Sequence, residues 1–126
     1  MTVADTDVLI DFLSASEPAA GRVRAELQDG NLVTTVITRF ELLSGARSAK
    51  AMRAIGELLE SIRSLELDSK AADRAAAVRR SLERKGSTIG MADSLIAGIV
   101  LTVSGILLTR NRRHFDRVDG LKLASP

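Results

Sequence analysis

Thr2-Val3-Ala4-Asp5-Thr6-Asp7-Val8-Leu9-Ile10-Asp11-Phe12-Leu13 runs from a short apolar strand through an acidic turn into a helical pattern. Val3 and Ala4 suit a buried strand, whereas Val8, Leu9, Phe12 and Leu13 recur at helical spacing with Asp7 and Asp11 opposite them. Asp5 therefore stands where strand becomes helix, and in open α/β sheets that carboxyl edge is where ligands bind. Asp5 or Thr6 could equally N-cap the helix by bonding an orphan backbone N–H. This stretch alone leaves both roles open.

The same alternation continues along the chain. After a turn at Ser14 to Ser16, Glu17-Pro18 open a second helix that Asp29-Gly30-Asn31 ends, and Leu32-Val33-Thr34-Thr35 reads as a second strand. Val36, Ile37, Phe40 and Leu43 then form an apolar helical stripe with Glu41 at its border. A helix over residues 49–63 turns Met52, Ile55, Leu58, Leu59 and Ile62 inward, and Leu65-Glu66-Leu67 is a third strand. Residues 69–85 form a helix stopped by Gly86, and Ser87 or Thr88 can cap the next one, Met91 to Val103. Ile106 to Thr109 is a fourth strand, Arg110 to Phe115 a polar turn, and Leu121-Lys122-Leu123 a final edge strand. Strands alternating with helices predict a mainly parallel sheet of four to five strands covered on both faces, an α/β/α sandwich.

The chain has 126 residues, enough for one domain spanning 1–126 and too few for two. Hydrophobic residues at 45% and charged ones at 27% describe a globular protein, and the absence of cysteine removes disulfides, thiolate zinc sites and a cysteine nucleophile together. No signal-peptide pattern opens the chain, and the apolar run from Met91 to Leu108 carries Asp93 and a break at Ser104-Gly105, so no membrane span is expected and the cytoplasm is the expected location. Net charge is only +2, but Arg110, Arg112, Arg113 and Arg117 crowd one stretch that could meet phosphates. With Phe12, Phe40 and Phe115 the only aromatics, base stacking on aromatic platforms is not how a nucleic acid would be held.

In a β-α-β unit helix N-termini and strand C-termini share one sheet edge. Asp5, Glu41 and Asp93 fall on that edge, with Thr109, Asn111 and, a few residues on, Asp116. Gathered carboxylates repel one another unless a cation sits among them. Oxygen donors without cysteine suit a hard ion, Mg2+ or Mn2+, which makes water a nucleophile for phosphodiester hydrolysis. Asp93 is the hardest acid to explain otherwise, because its helix is apolar almost all round. His114, the only histidine, reads as a surface residue able to touch a phosphate rather than as a general base.

Four blocks then resemble one family in order and spacing: Val3 to Ile10, Arg39-Phe40-Glu41-Leu42-Leu43-Ser44-Gly45-Ala46, Met91-Ala92-Asp93-Ser94-Leu95-Ile96-Ala97 and Leu108-Thr109-Arg110-Asn111-Arg112-Arg113-His114-Phe115. Together they resemble the PIN domain, specifically the VapC-type toxins of toxin–antitoxin pairs. The resemblance implies a Mg2+- or Mn2+-dependent endoribonuclease, a homodimer restrained by a VapB-type antitoxin. It also implies Asp5, Glu41 and Asp93 as the metal-binding acids and Thr6 and Thr109 as supporting hydroxyls. Many relatives carry an aspartate where this chain has Asn111, which makes Asp116 the nearest compensating carboxylate. Arg110, Arg112 and Arg113 would position the RNA backbone. Two other readings compete. Asp5-Thr6-Asp7 resembles the nucleophile motif of aspartyl-phosphate phosphotransferases, which lacks its partner motifs here, and a catalytically weakened PIN fold would bind RNA or protein without cutting.

Overall fold

A computed structural model describes all residues from Met1 to Pro126. The elements follow as β1 (Thr2–Ala4), α1 (Thr6–Leu13), α2 (Ala19–Gln28), β2 (Leu32–Thr35), α3 (Val36–Gly45) and α4 (Ala49–Ser61). β3 (Arg63–Leu65), α5 (Ser69–Arg84), α6 (Met91–Val103), β4 (Ile106–Leu108), α7 (Arg112–Phe115) and β5 (Lys122–Ala124) complete the chain. All strand pairs are parallel and the sheet order is β3-β2-β1-β4-β5. Strand order thus runs outward from β1 in one direction and resumes at β4 in the other. The crevice between β1 and β4 is the topological switch point, where ligands bind in such sheets.

Alternation along the strands divides the core in two. Val3 and Leu107 face a cluster with Leu82, Ile96, Ile99 and Phe115, while their neighbours Ala4 and Leu108 face one with Val8, Leu9, Leu42 and Leu59. Helices α1, α2 and α4 cover the second face and α5 with α6 the first, giving the expected three layers.

The differences from the sequence expectation have local causes. β3 begins at Arg63 rather than Leu65, because it pairs with Val33–Thr35 and that partner turns into α3 at Val36. β4 stops at Leu108 because its partner β1 stops at Ala4. The expected polar turn at 110–115 contains a single helical turn, α7, anchored by fully buried Phe115. Gly90, not Ser87 or Thr88, occupies the N-cap of α6 and makes no side-chain cap bond; Ser87 instead accepts a hydrogen bond from Arg117. Phe40 and Met52 point outward, with Phe40 69% exposed. Thr38 and Leu42 form the buried face of α3, and Phe40 lies about 200° around the helix from Thr38.

Gly98 sets the closeness of α5 and α6. A Cβ there would lie 2.5 Å from the Ala71 carbonyl oxygen and 2.6 Å from the Ala75 nitrogen, so backbone rather than a flexible side chain would have to move. Gly98→Ala should destabilise the fold by about 3 kcal/mol, read as a lowered midpoint in chemical denaturation, even though alanine is the better helix former. An unchanged midpoint would mean the two helices are not in this contact.

Candidate active site

Asp5 leaves β1 in extended conformation and caps α1, its Oδ1 accepting from the Thr6 N–H at 2.9 Å. Its Oδ2 accepts from the Thr109 hydroxyl at 2.7 Å, a bond that spans the crevice from β1 to the end of β4. The capping role and the site role therefore belong to the same carboxylate. Thr109 is itself fixed, its oxygen accepting from the Asn111 N–H at 2.9 Å. Asp5 is only 4% exposed. Burial pushes its carboxyl up to about 6 against the Thr109 hydrogen bond, and the negative charges of Asp7 and Asp93 add to the rise.

Glu41 joins through Thr6, whose hydroxyl donates to Glu41 Oε1 at 2.6 Å and lies 3.0 Å from the fully buried Thr38 hydroxyl. With the single Thr6 proton on Glu41, Thr38 is the donor of the pair. Asp93 sits in the first turn of α6, where the helix dipole favours a negative charge. Its side chain is 26% exposed and its Oδ2 is 2.8 Å from His114 Nδ1, so it has the partner that its apolar helix lacked in sequence. His114 is exposed, as expected, but its place beside Asp93 was not anticipated.

Asp7 is a second unanticipated member. Its Oδ2 accepts from the Arg110 N–H at 3.0 Å, while its Oδ1 is buried without a partner. Burial raises its pKa, opposed by the bond from the Arg110 backbone. The sequence held a signal: Asp7 and Asp11, one helical turn apart, face the arginine cluster, and Arg110 Nε reaches Asp11 Oδ2 at 2.6 Å. Thr38 was signalled in the same way by its position one turn before Glu41.

The remaining expected residues are placed differently. Arg110 is engaged by Asp11, and Arg112 reaches the Ser125 hydroxyl at 3.3 Å. Arg113 alone of the three is without a side-chain partner and lines a cavity with His114 and Asp116. Asn111 is held by its backbone, its side chain making no cap bond. Asp116 forms no hydrogen bond or ion pair with Asp5, Glu41 or Asp93; it closes α7 and faces that neighbouring cavity.

The donor set fits a hard divalent cation in its chemistry. It offers carboxylates from Asp5, Glu41 and Asp93, an unpartnered oxygen on Asp7, and a buried surplus of negative charge. The side chains are not gathered around one point: no three of them are close enough to hold a single ion. Thr6 holds only Oε1 of Glu41 and His114 only Oδ2 of Asp93, so an ion would draw in the other oxygen of each carboxylate.

The PIN domain family profile matches residues 2–121. Over 122 residues the chain is 32% identical to the tRNA(fMet)-specific endonuclease VapC of Shigella flexneri, covering 94% of this chain and 92% of that one. It is 33% identical over 122 residues to the ribonuclease VapC10 of Mycobacterium tuberculosis, covering 97% and 91%. Among solved structures, VapBC-1 from nontypeable Haemophilus influenzae is similar at a TM-score of 0.82 and 26% identity, covering 98% of this chain and 96% of that one. With agreement over nearly its whole length in sequence and in fold, this chain belongs to the PIN domain family.

Proposed function

We propose that the chain is an endoribonuclease toxin that hydrolyses RNA phosphodiester bonds with Mg2+ or Mn2+, acts in the cytoplasm as a homodimer and is restrained by a VapB-type antitoxin. The observation that carries this reading is the placement of Asp5, Asp7, Glu41 and Asp93 along the sheet edge that holds the β1/β4 crevice, in a chain whose relatives are named as VapC ribonucleases. Asp5, Glu41 and Asp93 would hold the ion, which supplies Lewis acidity and a nucleophilic water near neutral pH.

The rest is the work of the chain itself. Thr6 and Thr109 fix the carboxylates of Glu41 and Asp5 by donating to them. His114 orients Asp93, the kind of outer partner that tunes a ligating carboxylate. Arg113, exposed and unengaged, meets the phosphate, while Arg110 is engaged in holding the strand exit to α1.

Purified protein free of antitoxin, incubated with total RNA, should give discrete fragments with Mg2+ or Mn2+ and none with chelator. Fragments that persist in chelator would overturn the metal role. No fragments under any condition would leave a PIN fold that binds without cutting. His114 and Asp116 should separate in the same assay. His114→Ala loses about 10- to 100-fold in rate, as outer partners of metal ligands do, whereas Asp116→Asn stays within about threefold of wild type. Equal losses would return Asp116 to the site.

A further inference from the structure

Beyond the acidic crevice, the cavity that Arg113 and His114 line also includes Ser87, Thr88 and Arg117. Arg117 and Leu82 then belong to a second, larger cavity of about 580 Å3, whose cations are Arg74, Arg84, Arg117 and Lys122. That second cavity includes Ser104 and Gly105, which precede β4, and Lys122, which opens β5. It therefore lies toward the strand N-termini, away from Asp5. The two cavities adjoin: Asp93 holds His114, His114 lines the first cavity, and Leu82 and Arg117 line both.

In the first cavity Arg113 and Arg117 stand against one acid, Asp116, and the larger cavity is more one-sided still. Asp119 is the only acid in the larger cavity, and Lys85 Nζ engages it at 3.0 Å. Lys85 also donates to the Arg117 carbonyl at 3.0 Å, pinning the Arg117–Gly120 loop to the end of α5. Arg117 Nη1 donates to the Ser87 hydroxyl at 2.8 Å, which holds its guanidinium between the cavities. Arg74 and Arg84 rise from α5 on the side of Val78 and Leu82, so the cations edge an apolar floor.

We infer that this pair of cavities is a track for single-stranded RNA, carrying the strand away from the cleavage site on Arg113, Arg117, Arg84, Arg74 and Lys122. It rests on the ribonuclease reading for the identity of the polyanion. Cations spaced along two adjoining cavities match a chain of phosphates, and His114 is the only exposed ring in the lining on which a base could stack. Binding on the track is accordingly insensitive to sequence and sensitive to salt.

The test is fluorescence anisotropy in chelator, where the RNA stays intact, with labelled single strands of about 4 and about 16 nucleotides. Wild type is set beside R74Q/R84Q/K122Q and beside R79Q/R80Q/R53Q, which removes the same charge outside both cavities. The track variant should bind the longer strand at least about tenfold more weakly, with a salt slope shallower by about 2, while the short strand and the control are unaffected. Equal binding of the long strand by wild type and track variant overturns the inference, as does an equal loss in the control. Binding of AMP that depends on these residues while long-RNA affinity does not would make the cavity a free-nucleotide pocket and also overturn it. If the triple variant melts below wild type, Arg74→Gln alone, on the exposed surface of α5, should still lower the slope by about 0.7. Long RNA bound through the track but never cut with Mg2+ would sink the ribonuclease reading alone. RNA cut normally by a protein whose affinity ignores these residues would sink the track alone.

Discussion

Asp93→Asn should slow RNA cleavage by at least about 10³-fold, roughly 4 kcal/mol of barrier, and leave the fold intact. The two halves of this outcome come from different features of the same residue. Asn keeps an oxygen that accepts from His114 Nδ1, and the side chain is partly exposed, so no buried group loses its partner. What disappears is one negative charge at the N-terminus of α6, which costs the helix about 0.3–1 kcal/mol and lowers the melting temperature slightly. The same charge is one of the three assigned to the cation, and a neutral amide is a poor substitute for a carboxylate toward a hard ion. Single-turnover rates beside circular-dichroism melts read both halves. Retained cutting by clean, folded Asp93→Asn would remove this residue from the metal set.

Asp5→Asn should also abolish cleavage, yet raise stability above pH 6 in metal-free protein. The Asp5 carboxyl rises from 3.8 to about 6 on folding, chiefly by burial. Between those values the folded protein binds more protons than the unfolded chain, so stability falls as pH rises and is lowest above about 6. The whole span is worth about 3 kcal/mol. Asp7, raised in the same direction, steepens the fall. Asn at position 5 can turn its amide N–H toward Thr109, which then offers its proton to Asp7 Oδ2, 3.5 Å away. The variant should therefore show a flatter stability profile between pH 4 and 7. Mg2+ or Mn2+ should stabilise wild type at pH 7 but not the variant, because an ion bound only by the folded state shifts unfolding by mass action. A wild-type profile that rises across that window would contradict the buried, repelled carboxylate.

Much of this was legible in the sequence, and the failures share a cause. Asp5, Glu41 and Asp93 could be placed at one edge because the helix of a β-α-β unit runs antiparallel to its strands, so helix N-termini meet strand C-termini. Helix α6 was read to the residue because an apolar helix bounded by glycine-containing turns has few alternatives. What could not be read was set by distant partners. β3 and β4 end where the strands they pair with end, and Phe115 anchors α7 through contacts made only in three dimensions. His114 is the surface residue expected, but its bond to Asp93, 21 positions away, has no signature in the sequence. The pairing of Arg110 with Asp11, which spans 99 positions, is equally invisible in the sequence.

The most direct measurement is the single-turnover cleavage rate of one defined RNA, by wild type and Asp93→Asn, across a titration of Mn2+. Wild type should rise from no cleavage in chelator to a saturating rate, with the variant near background at every concentration. A wild-type rate independent of Mn2+, or a variant that reaches the wild-type rate, would contradict an acidic, cation-dependent ribonuclease site at the β1/β4 crevice.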